Sequence, residues 1–250
     1  ITDALIRRDN PAVGIEIAGY LLGVLWIIAA VLSGSGHSNL WFETLEVAVY
    51  GVGGILFLAF VATVGLRLFL SSHSLQAIQE GNVAAGIVAA GSYIATGSII
   101  SGAVAGEGSG TIVTAIVFFV VGQVAFVVIT YLFRFLTAYR DSEEILNGNI
   151  PAALSYAGVM TAVGIIVGNA VTGDFVDYTT SFVAFGKALL IVLALYPIRQ
   201  WLVQGLLLGG GFRLYGGSLD EEISRDHNTN AGLIEATTYI ATALLVTRLV

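Results

Sequence analysis

The chain has 250 residues, of which 56% are apolar and 11% charged, and its formal net charge is −7. A soluble domain carries about 25% charged residues, so a soluble fold is excluded, and the negative balance speaks against a nucleic-acid partner. Without cysteine there are no disulfides, thiolate metal sites or thiol nucleophiles, and His37, His73 and His227 match no metal-ligand spacing.

In chain order, a short charged segment, ITDALIRRDN, leads into an apolar block over 11–32. Further blocks follow at 46–66, 84–105, 112–133, 151–171, 179–198 and 231–247. Each is close to the roughly 20 residues that cross a bilayer core as a helix. None alternates with period two, and a helix satisfies its own backbone groups in lipid where an open sheet does not. The expected fold is all-α: a polytopic transmembrane helix bundle with seven spans.

The blocks carry a repeat. DNPAVGIEIAG at 9–19 returns as GNVAAGIVAAG at 81–91, GNIPAALSYAG at 148–158 and HNTNAGLIEAT at 227–237. Aligned on Asn10, Asn82, Asn149 and Asn228, the copies are spaced by 72, 67 and 79 residues, enough for two crossings each. Two crossings bring the chain back to the same side, so the repeats are expected to be parallel two-helix units. They differ in this from the inverted repeats of many transporters. The arginines Arg7, Arg8, Arg67, Arg134, Arg140, Arg199, Arg213 and Arg225 fall just before the motifs or at the end of the helix leading into them. The alternate connections lack Lys and Arg and hold Glu43, Glu46, Glu107, Asp174 and Asp177. Short Lys/Arg-rich loops stay cytoplasmic, which puts all four motifs on the cytoplasmic side.

Each asparagine suits a helix N-cap, and Pro11 and Pro151 fit the first turn behind it. Polar lining at the cytoplasmic mouth of a central cavity is the alternative role. Four and eight residues after the asparagines come Gly14 and Ala18, Gly86 and Ala90, Ala153 and Ala157, and Gly232 and Ala236. Small residues at this spacing let helices approach closely in lipid, where no hydrophobic force drives them together. These eight positions are the expected helix-packing residues.

The Asn-x-x-Ala-Gly pattern with a small-residue helix behind it, as in HNTNAGLIEATTYIATALLV, resembles the YjfL-like bacterial inner-membrane family, a domain of unknown function (350). GNVAAGIVAAGSYIATGSIISGAVAG is similar to the same pattern. The first copy departs from it at Val13, the third at Ala153 and the fourth at Thr237. The resemblance implies two tandem units, 1–137 and 138–250, in a bacterial inner (cytoplasmic) membrane. It also implies an eighth helix upstream of Ile1, because ITDALIRRDN matches the linkers LQAIQEGN and SEEILNGN. It brings no activity, and no cofactor or metal is expected.

A charge in the hydrocarbon core costs about 2.5–3.5 kcal/mol on insertion scales. Lys187 sits mid-span in FVAFGKALLIVLAL, Gln123 lies in VVGQVAF, and Glu16 and Glu235 follow the outermost asparagines. These four form a candidate intramembrane polar path. A structural ion pair, or a lysine facing a partner subunit, explains them equally well. The glycine-rich SGSGHS, GEGSG and LLLGGGF lack a Walker lysine and read as loops. Ser218 with Glu221 reads as a capping box. Trp41, Tyr178, Trp201 and Tyr215 fit interfacial belts, and Trp26 is more internal. Glu43 and Glu46 suit a helix start.

No His pair, Ser–His pair or close carboxylate set suggests an enzyme. The expected function is a non-enzymatic integral membrane protein, a scaffold or accessory subunit whose partners are the bilayer and other membrane subunits or further copies. The alternative is an ion or proton channel or transporter with its path through the repeat bundle.

Overall fold

The computed structural model describes residues 3–33, 40–105, 112–172, 175–201, 203, 205 and 215–248. They form α1 (Pro11–Leu32), α2 (Leu40–Phe69), α3 (Ser74–Gln79), α4 (Val83–Val104), α5 (Ile112–Phe135), α6 (Asp141–Leu146), α7 (Ile150–Val171), α8 (Tyr178–Gln200), α9 (Ser218–Ser224) and α10 (Thr229–Val246), behind a π-helical turn, Asp3–Arg7. There is no strand among the described residues. The fold is an all-α polytopic bundle. Pro11–Leu32, Val47–Phe69, Val83–Val104, Ile112–Phe135 and Ile150–Val171 are long and apolar enough to cross a membrane. The other two expected spans are weaker. The apolar stretch of α8 is Tyr178–Ile191, and α10 has 18 residues that include Asn230 and Glu235.

The four motif helices stand in a row, α1 on α4, α4 on α7 and α7 on α10. Glycine fixes their separation. A Cβ on Gly86 would lie 2.5 Å from the Ala12 carbonyl oxygen, and one on Gly97 2.6 Å from the Gly23 Cα. A Cβ on Gly19, Gly164 or Gly158 would collide with Ala90, Ala95 or Ala236. On Gly232 it would meet the Pro151 carbonyl, and on Gly91 it would meet Ala157. Residue numbers rise together on both sides of each seam (12 with 86, 19 with 90, 23 with 97), so the helices are parallel. Residues four and eight after an asparagine rest on those two and nine after the preceding one. Ala153, the equivalent residue in the second seam, is fully buried.

The first copy departs from this pattern. The packing role expected of Gly14 and Ala18 is not met inside the chain: Ala18 is exposed, and a Cβ on Gly14 would meet only Leu5. The reason is positional: among the described residues, no motif helix packs on that face of α1. Its packing face toward α4 is Ala12, Gly19 and Gly23 instead.

Helices α2, α5 and α8 straddle the seams: α2 packs on α1 and α4, α5 on α4 and α7, α8 on α7 and α10. The contacts of Gly54 with Ile27 and of Leu58 with Gly23 run in opposite residue order, so α2 is antiparallel to α1. Phe69 joins this layer to α5 and α7 through edge contacts with Phe126 and Tyr156.

Every motif helix is capped by its asparagine, whose side-chain oxygen accepts from first-turn amides. The side-chain amide then reaches the short helix of the next unit. Asn10 Nδ2 donates to the carbonyls of Ile78 and Gln79, Asn82 Nδ2 to those of Ile145 and Leu146, and Asn149 Nδ2 to that of Ile223. One residue type therefore starts its own helix and fastens the following unit. The left-handed residues just before it, Gly81 and Gly148, make the turn that permits this. The capping box expected of Ser218 and Glu221 is absent. Helix α9 begins at Ser218 behind Gly217, with no side-chain cap.

Candidate functional site

The densest polar chemistry lies where the C-terminal end of α5 meets α6, α7, α9 and α10. Arg134, the last-turn arginine of α5, is 6% exposed. Its guanidinium makes a bidentate pair with Asp141 at the start of α6, through Nε to Oδ2 at 2.9 Å and Nη2 to Oδ1. Nη1 donates to Ser155 Oγ at 2.8 Å, and Nη2 also donates to the Tyr139 hydroxyl at 3.0 Å. The rings of Tyr139 and Tyr156 lie 5.5 and 5.2 Å from the guanidinium carbon, within cation–π range. Glu235 of α10 is 3% exposed and sits in the same electrostatic neighbourhood. From α9, Asp220 accepts a hydrogen bond from the Ala138 amide at 2.8 Å across the linker.

One guanidinium thus faces three buried carboxylates. Burial pushes the Asp141 carboxyl up, against the pull of Arg134. Asp220 is pushed up to about 6, first by burial and then by Glu235. The arrangement binds α5, α6, α7, α9 and α10 at one end of the bundle, and Asp141 and Asp220 hold a proton more readily than free carboxyls would. It contains no nucleophile placed against a base.

The sequence-derived candidates are dispersed. Glu235 belongs to the cluster. Lys187 is exposed on α8 and makes no ion pair or hydrogen bond among the described residues. Glu16 is half-buried on α1, at the far end of the row from α10. Gln123 on α5 holds a buried Nε2 without a partner. Trp26 is half exposed, while Trp41, Tyr178, Trp201 and Tyr215 are exposed. Asp177 accepts from the backbone amide and hydroxyl of Thr180 at the start of α8. The side chains of Glu43, Glu46 and Arg199, and residues His37, Glu107, Asp174, 209–211 and Arg213, lie outside what the structure describes.

Sequence alone does not mark Arg134 and Asp141 as a site. Arg134 reads as one more last-turn arginine, since Arg67 has the same spacing to its asparagine. Yet Arg67 is exposed. Around it, Ser74, Val88 and Ala89 stand where Asp141, Ser155 and Tyr156 stand in the next unit. That polar substitution at three aligned positions is the signal that distinguishes the two units.

Fold and site together define a multi-pass helical membrane protein built from parallel, seam-packed hairpins. The chain belongs to the family described as Domain of Unknown Function (DUF350), whose model matches it twice, over residues 2–104 and 108–250. It is similar to a UPF0719 transmembrane protein of Aquifex aeolicus (strain VF5), 23% identical over 97% of this chain and 89% of that protein. No solved structure matches.

Proposed function

We propose that the protein is a non-enzymatic scaffold or accessory subunit of an assembly in the bacterial inner membrane, with its motif caps and arginine-bearing linkers on the cytoplasmic side. The observation that carries this reading is the separation of its charges. Lys187 lies exposed on α8 and has no partner among the described residues, while Glu235 lies buried within the electrostatic reach of Arg134 at the end of the bundle. A relay needs ionisable groups in sequence along one route. A lysine on an outer face suits a partner subunit or snorkelling to the interface. The sequence bias toward arginine at the motif ends supports the orientation.

The test is reconstitution. Purified protein in liposomes is expected to pass protons, Na⁺ and K⁺ no faster than empty liposomes. Flux that disappears in Lys187→Met would reject the scaffold in favour of a channel or transporter.

A further inference from the structure

We infer that α8 docks, along the face that carries Lys187, against a transmembrane helix of another membrane protein that bears a carboxylate in the middle of its span. The inference rests on the scaffold reading and names the chemistry of the partner.

The direction of Lys187 comes first. On α8, Phe185 and Ala188 are buried and turn toward the bundle. Lys187 falls on the far side of the helix. It shares a stripe with Val183, Leu190 and Ile191, three or four residues away and all exposed. A Cβ on the neighbouring Gly186 would meet nothing within 4 Å. The stripe points away from α7 and α10, on which α8 packs, and from α5, whose Phe118 touches Phe175 and Phe182.

Depth comes second. Helices α5 and α8 both begin at the end of the bundle where the motif helices finish. The rings of Phe118 and Phe182 lie 5.4 Å apart, which sets the two residues at a similar depth. Five residues further along each helix come Gln123 and Lys187. Gln123 is eleven residues after Ile112 and twelve before Phe135, the middle of a span. Lys187 is therefore near mid-membrane, on an outward face.

An ammonium at that depth faces a bundle interior or a water-filled cavity, or it meets an opposite charge. The interior lies on the other side of α8, and the stripe around Lys187 is apolar. A four-carbon stem covers only part of the roughly 15 Å from the bilayer centre to the headgroups, so snorkelling does not satisfy it. The complement is a carboxylate at the same depth, on a helix that packs against Val183, Leu190 and Ile191. The chain's own acids do not match that position. Glu16 is six residues, about 9 Å, from the cap of α1, Glu235 is 3% exposed, and Glu43 and Glu46 fall in the first two turns of α2. A second copy is therefore not the partner.

The first test uses a synthetic leucine-rich transmembrane peptide with one central Glu, mixed in vesicles with the full-length gene product and read by energy transfer. It is expected to bind about tenfold more tightly than the same peptide with Gln. Lys187→Arg should keep that preference and Lys187→Met should remove it. The second places a photoreactive residue at Leu190 in native membranes. One discrete adduct is expected, lost in Lys187→Met and kept in Lys187→Arg, whose captured span carries Asp or Glu near its middle. No preference for the Glu peptide would overturn the proposal. So would an adduct with lipid alone, with a second copy, or with a span lacking such an acid. Both readouts report contact only. Ion flux in liposomes holding this chain alone would remove the scaffold reading and leave the contact to be judged by the adduct.

Discussion

Asp220 and Arg134 show how one residue's surroundings set its effect. The Asp220 carboxyl titrates at about 6 in the folded chain, against an ordinary value of 3.8. Between those values the folded chain holds a proton that the unfolded chain has released. Stability therefore falls as pH rises from about 4 to 6 and stays lower above that; the shift corresponds to about 3 kcal/mol. Asp220→Asn keeps an oxygen for the Ala138 amide and removes the charge. It is expected to raise the melting temperature in detergent at pH 8 and to flatten the profile between pH 4 and 7; an unchanged profile would remove Asp220 from the account. Arg134 has the opposite role, because its charge compensates buried acids. Arg134→Met leaves Asp141 and Glu235 without their cation and is expected to cost about 3–5 kcal/mol, read by thermal or denaturant unfolding. Arg134→Lys restores the charge but not the planar two-pronged contact with Asp141, so it should recover only part of the loss. The sequence displayed Glu235 as a lone acid in an apolar helix. It did not display the partnership, because Arg134 and Glu235 are about a hundred residues apart and meet only once α5 and α10 close on α7.

At the scale of the element, a motif helix depends on its cap and its small-residue faces. Asn82→Ala loses the cap, worth about 1 kcal/mol, and the two amide donations to Ile145 and Leu146 as well. Asn82→Asp retains the cap acceptor and loses the donor. Its stability should fall between wild type and Asn82→Ala, with faster hydrogen exchange confined to α6. Stability of Asn82→Asp equal to that of wild type would mean that the clamp contributes nothing. Glycines divide in the same way. Gly164 faces Ala95 across the α4–α7 seam without room for a Cβ, whereas Gly53 on α2 has nothing within 4 Å. Gly164→Val is expected to push α4 from α7 and cost about 1–3 kcal/mol or more. Gly53→Ala should be neutral or gain up to about 1 kcal/mol of helix propensity. Melting temperatures of the two variants, compared in one detergent, check both. Repetition made Gly86 and Gly232 visible in the sequence, but not Gly164, and the helices themselves were legible in the apolar blocks. Which face of α1 packs was not legible, because Gly14 and Ala18 satisfy the same spacing as Gly86 and Ala90. Only their place in the row separates them.

For the whole molecule, the row behaves as a short repeat array in which each motif helix depends on its neighbours. Helices α4 and α7 are covered on both sides by motif helices and by the straddling helices. Helices α1 and α10 each have one such neighbour. Hydrogen–deuterium exchange is expected to be slowest in α4 and α7 and fastest in α1 and α10. Uniform protection of all four would mean that the array unfolds as one block instead of fraying from its ends. α4 meets α7 through the same kind of seam that joins α1 to α4, so the two family matches are held together by the contact that also builds each of them.

The sequence by itself determined the membrane class, the helical architecture and the parallel sense of the repeats. Those properties follow from local composition, from block length against bilayer thickness, and from the even number of crossings between asparagines. Tertiary structure alone decided which small-residue faces meet, that each asparagine fastens the next unit, and that the buried charges gather around Arg134 while Lys187 stands apart. Those outcomes depend on which helices become neighbours, and in lipid that choice is made by close steric fit between distant segments, which no stretch of the chain encodes on its own.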